Sequence, residues 1–357
     1  MTRYAPLREL YFARLREFYR QPARIFWVYG FPTVVAVVLG LAFRNQQTRV
    51  VLVDLVRGPG SEAIEKALAT TGKGDLARGR PELKLNLVAP EEGDKRISTG
   101  KAALLVIPAA TRPPTYRYDP TRPEAVAARD AFDDAFQRGL GRKDAVEPSF
   151  EPVSDRGKRY IDRLIPAFIG MNTMGGGLWG VGFLLVNFRM GKLLKRFMAT
   201  PMPRRDFLLA ILGARLTFLL PDVGVLLALG VVGFGMPIKG SLAVFAIVEV
   251  VGALAFAGIG LLLACRASTQ ETISGLMNLV MIPMWLLSGV FFSYETFPKG
   301  MWPFLRALPL TQLVDALRAV LLQGAGLDDF VVVQALLILS AWAVGTFALA
   351  LRLFRWN

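Results

Sequence analysis

The chain has 357 residues, 53% of them hydrophobic, and a net charge of +14 from 42 basic and 28 acidic side chains. It holds no histidine and one cysteine, Cys265. That excludes His-based acid–base catalysis, His-activated nucleophiles, nearly every transition-metal site and any disulfide within these residues.

Hydrophobicity is unevenly spread. One apolar segment precedes a long charged stretch, and five more follow it, each near the ~20 residues that cross a bilayer. The expected fold is an α-helical polytopic membrane protein with six transmembrane helices. An N-terminal interfacial helix, a re-entrant helical hairpin between spans five and six, and a small extracytoplasmic α/β domain complete it. Residues 44–163 are nearly balanced, with 22 basic and 18 acidic residues, whereas the rest of the chain has 20 against 10. The surplus belongs to cytoplasmic helix flanks, so no nucleic-acid partner is expected.

Residues 1–24 are predicted to form an amphipathic helix, Thr2 to Arg24. Leu7, Leu10, Tyr11, Leu15, Phe18 and Tyr19 make one apolar stripe, with Arg8, Arg14, Arg16 and Arg20 opposite. Two readings stand: a helix in the lipid headgroups, favoured by its attachment to a span, and a cytosolic helix packed on protein. The run at 25–43 is longer than a signal h-region and lacks a small-x-small cleavage site, so it is expected to be a retained first span.

The segment 44–163 is predicted to be one α/β domain. Arg49–Leu55, Leu83–Val88 and Ala102–Ile107 are strand candidates. Ser61 would N-cap a helix through Thr70 after the turn Gly58-Pro59-Gly60, and Pro123 would open another through Arg138.

The remaining chain, 164–357, is expected to hold five spans: Leu164–Phe188, Phe207–Gly235, Leu242–Cys265, Thr272–Phe292 and Phe330–Leu351. Bases cluster before the first span, after the second, at Arg266 and at Arg352 and Arg355. Both termini and the loop 189–206 are therefore expected in the cytoplasm, with 44–163 outside. That loop predicts a short helix with Leu193, Leu194, Phe197 and Met198 on one face and Lys192, Lys195 and Arg196 on the other. It is either a positive-inside anchor or a docking knob for a cytosolic partner. Gly175-Gly176-Gly177 is expected to permit close helix packing.

Arg215, Asp222 and Glu249 lie within spans, where charges are costly unless paired or solvated. Structural pairing is one reading; a substrate path or proton relay is the other. Between spans five and six, residues 293–325 are broken by Pro303 and Pro309 into pieces too short to cross, either a dipping hairpin or a surface loop. Asp315 and Arg318 form an i, i+3 pair, read as structural rather than as a gate.

Gly191 to Met202, GKLLKRFMATPM, resembles the segment ending in Thr-Pro between the second and third membrane helices of ABC-2 type exporter permeases. Ser288–Ser293 with Phe297-Pro298, then Pro309 to Arg318, resembles that family's end of span five and its re-entrant hairpin. Arg49–Leu55 and Gly100–Pro108 resemble the outer domain of its long-loop members. The resemblance implies contact with an ABC ATPase through Gly191, Lys192, Lys195, Arg196, Thr200 and Pro201, and through the N-terminal helix. Many relatives carry Gly-Thr-Leu-Glu there; this chain has Lys192, Leu193 and Leu194 after Gly191, which implies a more acidic partner surface.

No G-x-x-x-x-G-K-[ST] motif occurs. No cofactor is therefore expected on this chain, with ATP and Mg2+ on a separate ATPase subunit. A second permease copy or paralogue and the lipid bilayer complete the expected partners, in the plasma (inner) membrane. The expected function is export of an amphiphilic drug, lipid or lipid-linked glycan, with no catalytic or metal-binding residues. The alternatives are a proton-coupled secondary transporter using Asp222 or Glu249, and a membrane sensor or scaffold with a ligand-binding outer domain.

Overall fold

The computed structural model describes residues 6–42, 50–75, 80–109, 113–144, 146, 159–199, 203–291 and 294–353. It is mostly helical and divides into two compact units, Arg44–Ser154 and the remainder of the chain.

In the larger unit, α1 (Pro6–Tyr19) and α2 (Pro22–Ile25) replace the single helix expected to Arg24. The break falls at Pro22, which has no N–H to continue the ladder and disfavours helical geometry at Gln21. A π-helical turn, Phe26–Gly30, leads into α3 (Phe31–Ala42).

The smaller unit is a four-stranded sheet with helices. Its elements are β1 (Val50–Val56), α4 (Ser61–Thr71), β2 (Glu82–Val88), α5 (Pro90–Ser98), β3 (Leu104–Ile107), β4 (Thr115–Arg117) and α6 (Pro123–Gly139). Strand order is β2-β1-β3-β4. The first two pairings are parallel and the last antiparallel. Val53, Leu55, Leu104, Val106 and Phe132 are its dry centre. Ser61 is not the cap. Gly60 holds that position at φ 98°, a left-handed geometry suited to glycine, and no side chain caps the helix. Helix α5 and strand β4 were not foreseen: PEEGDKRIS has almost no apolar periodicity, and three residues are too few to show alternation.

The rest of the larger unit begins with α7 (Tyr160–Gly177), which runs through a π stretch at Leu178–Phe183 into α8 (Leu184–Met190). After α9 (Leu193–Met198) come α10 (Arg204–Ala228), its π extension Leu229–Gly233, α11 (Leu242–Arg266) and α12 (Gln270–Leu287). Next are α13 (Trp302–Ala307), α14 (Pro309–Arg318) with a π turn Ala319–Gln323, and α15 (Phe330–Leu353).

Among the described residues, four helical stretches are long and apolar enough to cross a membrane: Tyr160–Met190, Asp206–Gly233, Leu242–Arg266 and Phe330–Leu353. The apolar helix Phe26–Leu41 is shorter, and α12, at 18 residues, is about 27 Å long against a ~30 Å hydrocarbon core.

Helix α11 is the hub, packed on α7 and α15. Gly177 of α7 and Gly260 of α11 make the first contact possible. A Cβ on Gly177 would lie 2.5 Å from the Cβ of Phe256, and one on Gly260 would lie 2.9 Å from the carbonyl oxygen of Gly177. Small residues at such a crossing let backbones approach where apolar burial gives little net drive. Cys265 is buried in the same core, its thiol 3.3 Å from the Leu261 carbonyl.

Candidate functional site

Helix α8 ends in a tight reversal. The amides of Gly191 and Lys192 donate to the carbonyls of Asn187 and Arg189 at 2.9 and 3.0 Å. Lys192, not Gly191, takes the left-handed conformation, at φ 56°. A side chain in that region is strained. The reversal points α9 so that Leu194 is buried at 2% exposure while Lys192, Lys195 and Arg196 are exposed. Of the residues expected to act here, Thr200 and Pro201 lie outside the described residues. Arg189 ties the segment down, donating to the carbonyls of Ala264 and Ala267 at 3.0 and 2.7 Å. These are carbonyls at the end of α11, where the helix dipole favours a cation. Gln270 on α12 donates to the side-chain carbonyl of Asn187 at 2.8 Å. The ends of α8, α11 and α12 are thereby joined.

Helix α1 packs on α10. Phe18 is buried, with its ring centroid 4.2 Å from that of Phe218, and Tyr11 and Thr217 share a hydroxyl–hydroxyl bond of 2.7 Å. Arg14 was expected on the cationic, outward side. It is buried instead, paired with Glu17 and 5.4 Å over the ring of Phe188. The contact face is thus Leu10, Tyr11, Arg14 and Phe18, rotated from the stripe that hydrophobicity alone marked.

The three charges within the spans come together. Arg215 Nη1 donates to Asp222 Oδ2 at 2.7 Å, one helical face and seven residues apart, and Nη2 lies 3.4 Å from the carbonyl of Thr173. Thr173 in turn donates through its hydroxyl to Glu249 Oε2 at 2.8 Å. Arg215, Asp222 and Glu249 are 6%, 1% and 2% exposed. Both the expected pairing and the approach of Glu249 are therefore present, with Thr173 as a bridge that sequence reading missed. Its signal was available: a hydroxyl residue two positions before the glycine triplet in a span.

Among the described residues, four polar atoms around this cluster stay buried without a partner: Arg215 Nε, Asp222 Oδ1, Glu249 Oε1 and the hydroxyl of Tyr29. Arg215 lies flat on Gly176, where a Cβ would sit 2.1 Å from Nη2, and its Cδ faces Gly180 at 3.4 Å. The glycines thus also seat a guanidinium.

The Asp315–Arg318 ion pair is not formed. Arg318 instead donates to the carbonyls of Arg163 and Gly289 at 3.2 and 2.9 Å. The Gly289 carbonyl lies past the end of α12 and needs a donor that α14 can reach. Pro309 opens α14 at its first turn, where a missing N–H costs nothing. Leu310, Leu313, Val314 and Leu317 are fully buried beneath it.

Comparison with known proteins assigns the chain. The family profile for the ABC-2 type transporter matches residues 138–322, more than half of the sequence. The chain belongs to the ABC-2 type transporter family. It is a membrane protein of the transport class. Relatives include ABC transporter G family member 20 of Dictyostelium discoideum, 27% identical over 188 residues, 52% of this chain and 26% of that protein. The inner membrane transport permease YhhJ of Escherichia coli (strain K12) is 27% identical over 175 residues, 49% of this chain and 46% of that one. The probable multidrug ABC transporter permease YbhR of the same organism is 25% identical over 165 residues, 46% and 45%. The chain thus spans less than half the length of each of these curated relatives. No solved structure matches.

Proposed function

We propose that this ABC-2 chain is the transmembrane subunit of an ATP-driven exporter, moving an amphiphilic cargo such as a drug, lipid or lipid-linked glycan out of the cytoplasm. Six segments cross, both termini are cytoplasmic, 293–325 dips into the outer leaflet and returns, and 44–163 is extracytoplasmic. An ABC ATPase carrying ATP and Mg2+ docks on 189–206 and α1, through Gly191, Lys192, Lys195, Arg196, Thr200 and Pro201. A second copy or paralogue completes the pathway.

The observation that carries this reading is the family match together with the shape of α9. One side is seated in the core by Leu194, and the opposite side offers Lys195 and Arg196 beside a reversal braced by Arg189. A mere positive-inside anchor needs charge but no such seating. A force applied to α9 would pass to α8, α11 and α12 through Arg189 and Gln270.

Purification of the full chain in mild detergent tests it. A stoichiometric nucleotide-hydrolysing subunit should accompany the wild type and be lost from the double variant Lys195→Glu, Arg196→Glu. A wild-type chain that purifies alone and transports without ATP would overturn it.

A second reading, proton-coupled transport, draws on Asp222 Oδ1 and Glu249 Oε1, both buried without partners. Flux abolished by Asp222→Asn or Glu249→Gln, yet indifferent to ATP, would favour that reading.

A further inference from the structure

Between α1, the helix starting at Phe26, the Leu178–Phe183 π stretch and α10 lies a cavity of about 550 Å³. Small-molecule sites span roughly 300–1,000 Å³. Phe18, Trp27, Trp179, Phe183, Phe188 and Phe218 face it. A π turn commonly marks a functional place in a membrane or soluble helix, because it widens the coil and breaks the regular ladder.

The charged side chains that line the cavity are paired. Arg14 is paired with Glu17, and Arg215 with Asp222. Behind Arg215, Thr173 links Glu249 to the cluster. An anion entering here would meet guanidinium groups already paired, and a cation would meet the lining carboxylate, Glu17, already paired with Arg14. Either would be buried without a counter-charge.

One donor nevertheless asks for an acceptor. Arg215 Nη1 is committed to Asp222 and Nη2 faces the Thr173 carbonyl, but the buried Nε–H has no partner among the described residues. Leaving such a donor unsatisfied is costly.

We propose that this cavity binds an uncharged, flat aromatic amphiphile bearing a carbonyl-type oxygen. Its rings lie against the aromatic wall, and its oxygen accepts from Arg215 Nε–H. This rests on the exporter reading, for which it supplies the cargo class.

The test uses the full chain in lipid nanodiscs and two probes with the same ring system. One is the neutral naphthyl ketone Prodan; the other is a dimethylaminonaphthalene sulfonate. Saturable quenching of tryptophan fluorescence reports binding. Prodan should bind at least about tenfold more tightly than the sulfonate, whose charge finds no partner. Gly180→Leu grows into the cavity wall from a position where a Cβ meets only Arg215 Cδ, at 3.4 Å, and should weaken Prodan by at least about tenfold. Arg215→Lys keeps a cation for Asp222 without the Nε–H, and should weaken it about fivefold. Gly224→Leu, where a Cβ meets nothing within 4 Å, should leave binding unchanged.

Equal affinity for the two probes, or wild-type Prodan binding by Gly180→Leu, would overturn the proposal. Should Gly180→Leu fail to assemble, Phe183→Ala takes its place, with the same required loss. An ATPase partner without Prodan binding retains the exporter and rejects the cavity. Prodan binding by a chain that has no ATPase partner does the reverse.

Discussion

Two buried carboxylate sites, one in each unit of this molecule, are satisfied to different degrees. In the smaller one, Asp54 is fully buried on β1 and accepts from Arg96 Nε at 2.6 Å, Arg96 Nη2 at 3.4 Å and Asn86 Nδ2 at 3.1 Å. The hydrogen bond to Asp54 holds the Arg96 guanidinium above its ordinary value. In the larger unit, Asp222 and Glu249 each have one partnered oxygen and one bare one. A buried charge that is fully satisfied fixes a fold. One left half-satisfied among spans costs stability. The difference separates a satisfied site from a costly one within one chain.

The largest expected effect breaks the second pattern at its seat. Gly176→Leu drives a side chain into Arg215, and separating it from Asp222 leaves two buried charges unmatched. A loss of about 3–5 kcal/mol is expected for breaking such a pair, read as a fall in the thermal midpoint of the detergent-solubilised chain. A midpoint within error of wild type would mean that the pair contributes nothing to the stability of the larger unit.

A smaller pair of substitutions sharpens the contrast. Asp54→Asn removes the charge that three donors share and should lower the midpoint of the smaller unit by about 5 °C. Glu249→Gln keeps an acceptor for Thr173 and removes a buried charge, so the midpoint should hold or rise. The reverse order of effects would erase the distinction between the two sites.

Lys192→Gly relieves the left-handed backbone at the reversal and should stabilise the larger unit by up to about 1 kcal/mol. If the strained lysine serves coupling, the same variant should lower ATP-driven turnover. Unchanged turnover would leave Lys192 as a turn residue alone.

The smallest effect is at the surface of the smaller unit. The Thr121 hydroxyl and amide, at 2.6 and 2.9 Å, hold the Asp119 carboxyl below its ordinary value. A depressed folded value adds stability that is present above the unfolded value near pH ~3.9 and is lost as pH falls through the folded one. Replacing Thr121 with valine should flatten that part of an acid titration of stability, measured on the full chain.

Much of this was legible beforehand because hydrophobic runs and β-branched clusters are local signals. Val50–Val53 and Leu104–Ile107 sit in strands whose ends lie within two residues of expectation, and the helix opened by Pro123 ends one residue beyond Arg138. Seven-residue spacing placed Arg215 and Asp222 on one face. Sequence could not show which carbonyls α14 can reach, and so paired Arg318 with Asp315 when the guanidinium instead donates to Gly289 and Arg163. Nor could it show that Arg14 turns inward, because burial there depends on an aromatic ring 174 positions away, that of Phe188. The Thr173 bridge and the aromatic cavity are likewise products of packing between distant spans.

Everything about force transmission depends on α9 and the sheet unit facing opposite sides of the bilayer. Single cysteines at Lys195 and at Glu91, in a chain whose native Cys265 is buried, can be offered a membrane-impermeant maleimide on intact cells. Labelling at 91 and protection at 195 until the cells are opened is the result this account requires. Labelling of both before lysis, or of 195 alone, would contradict it.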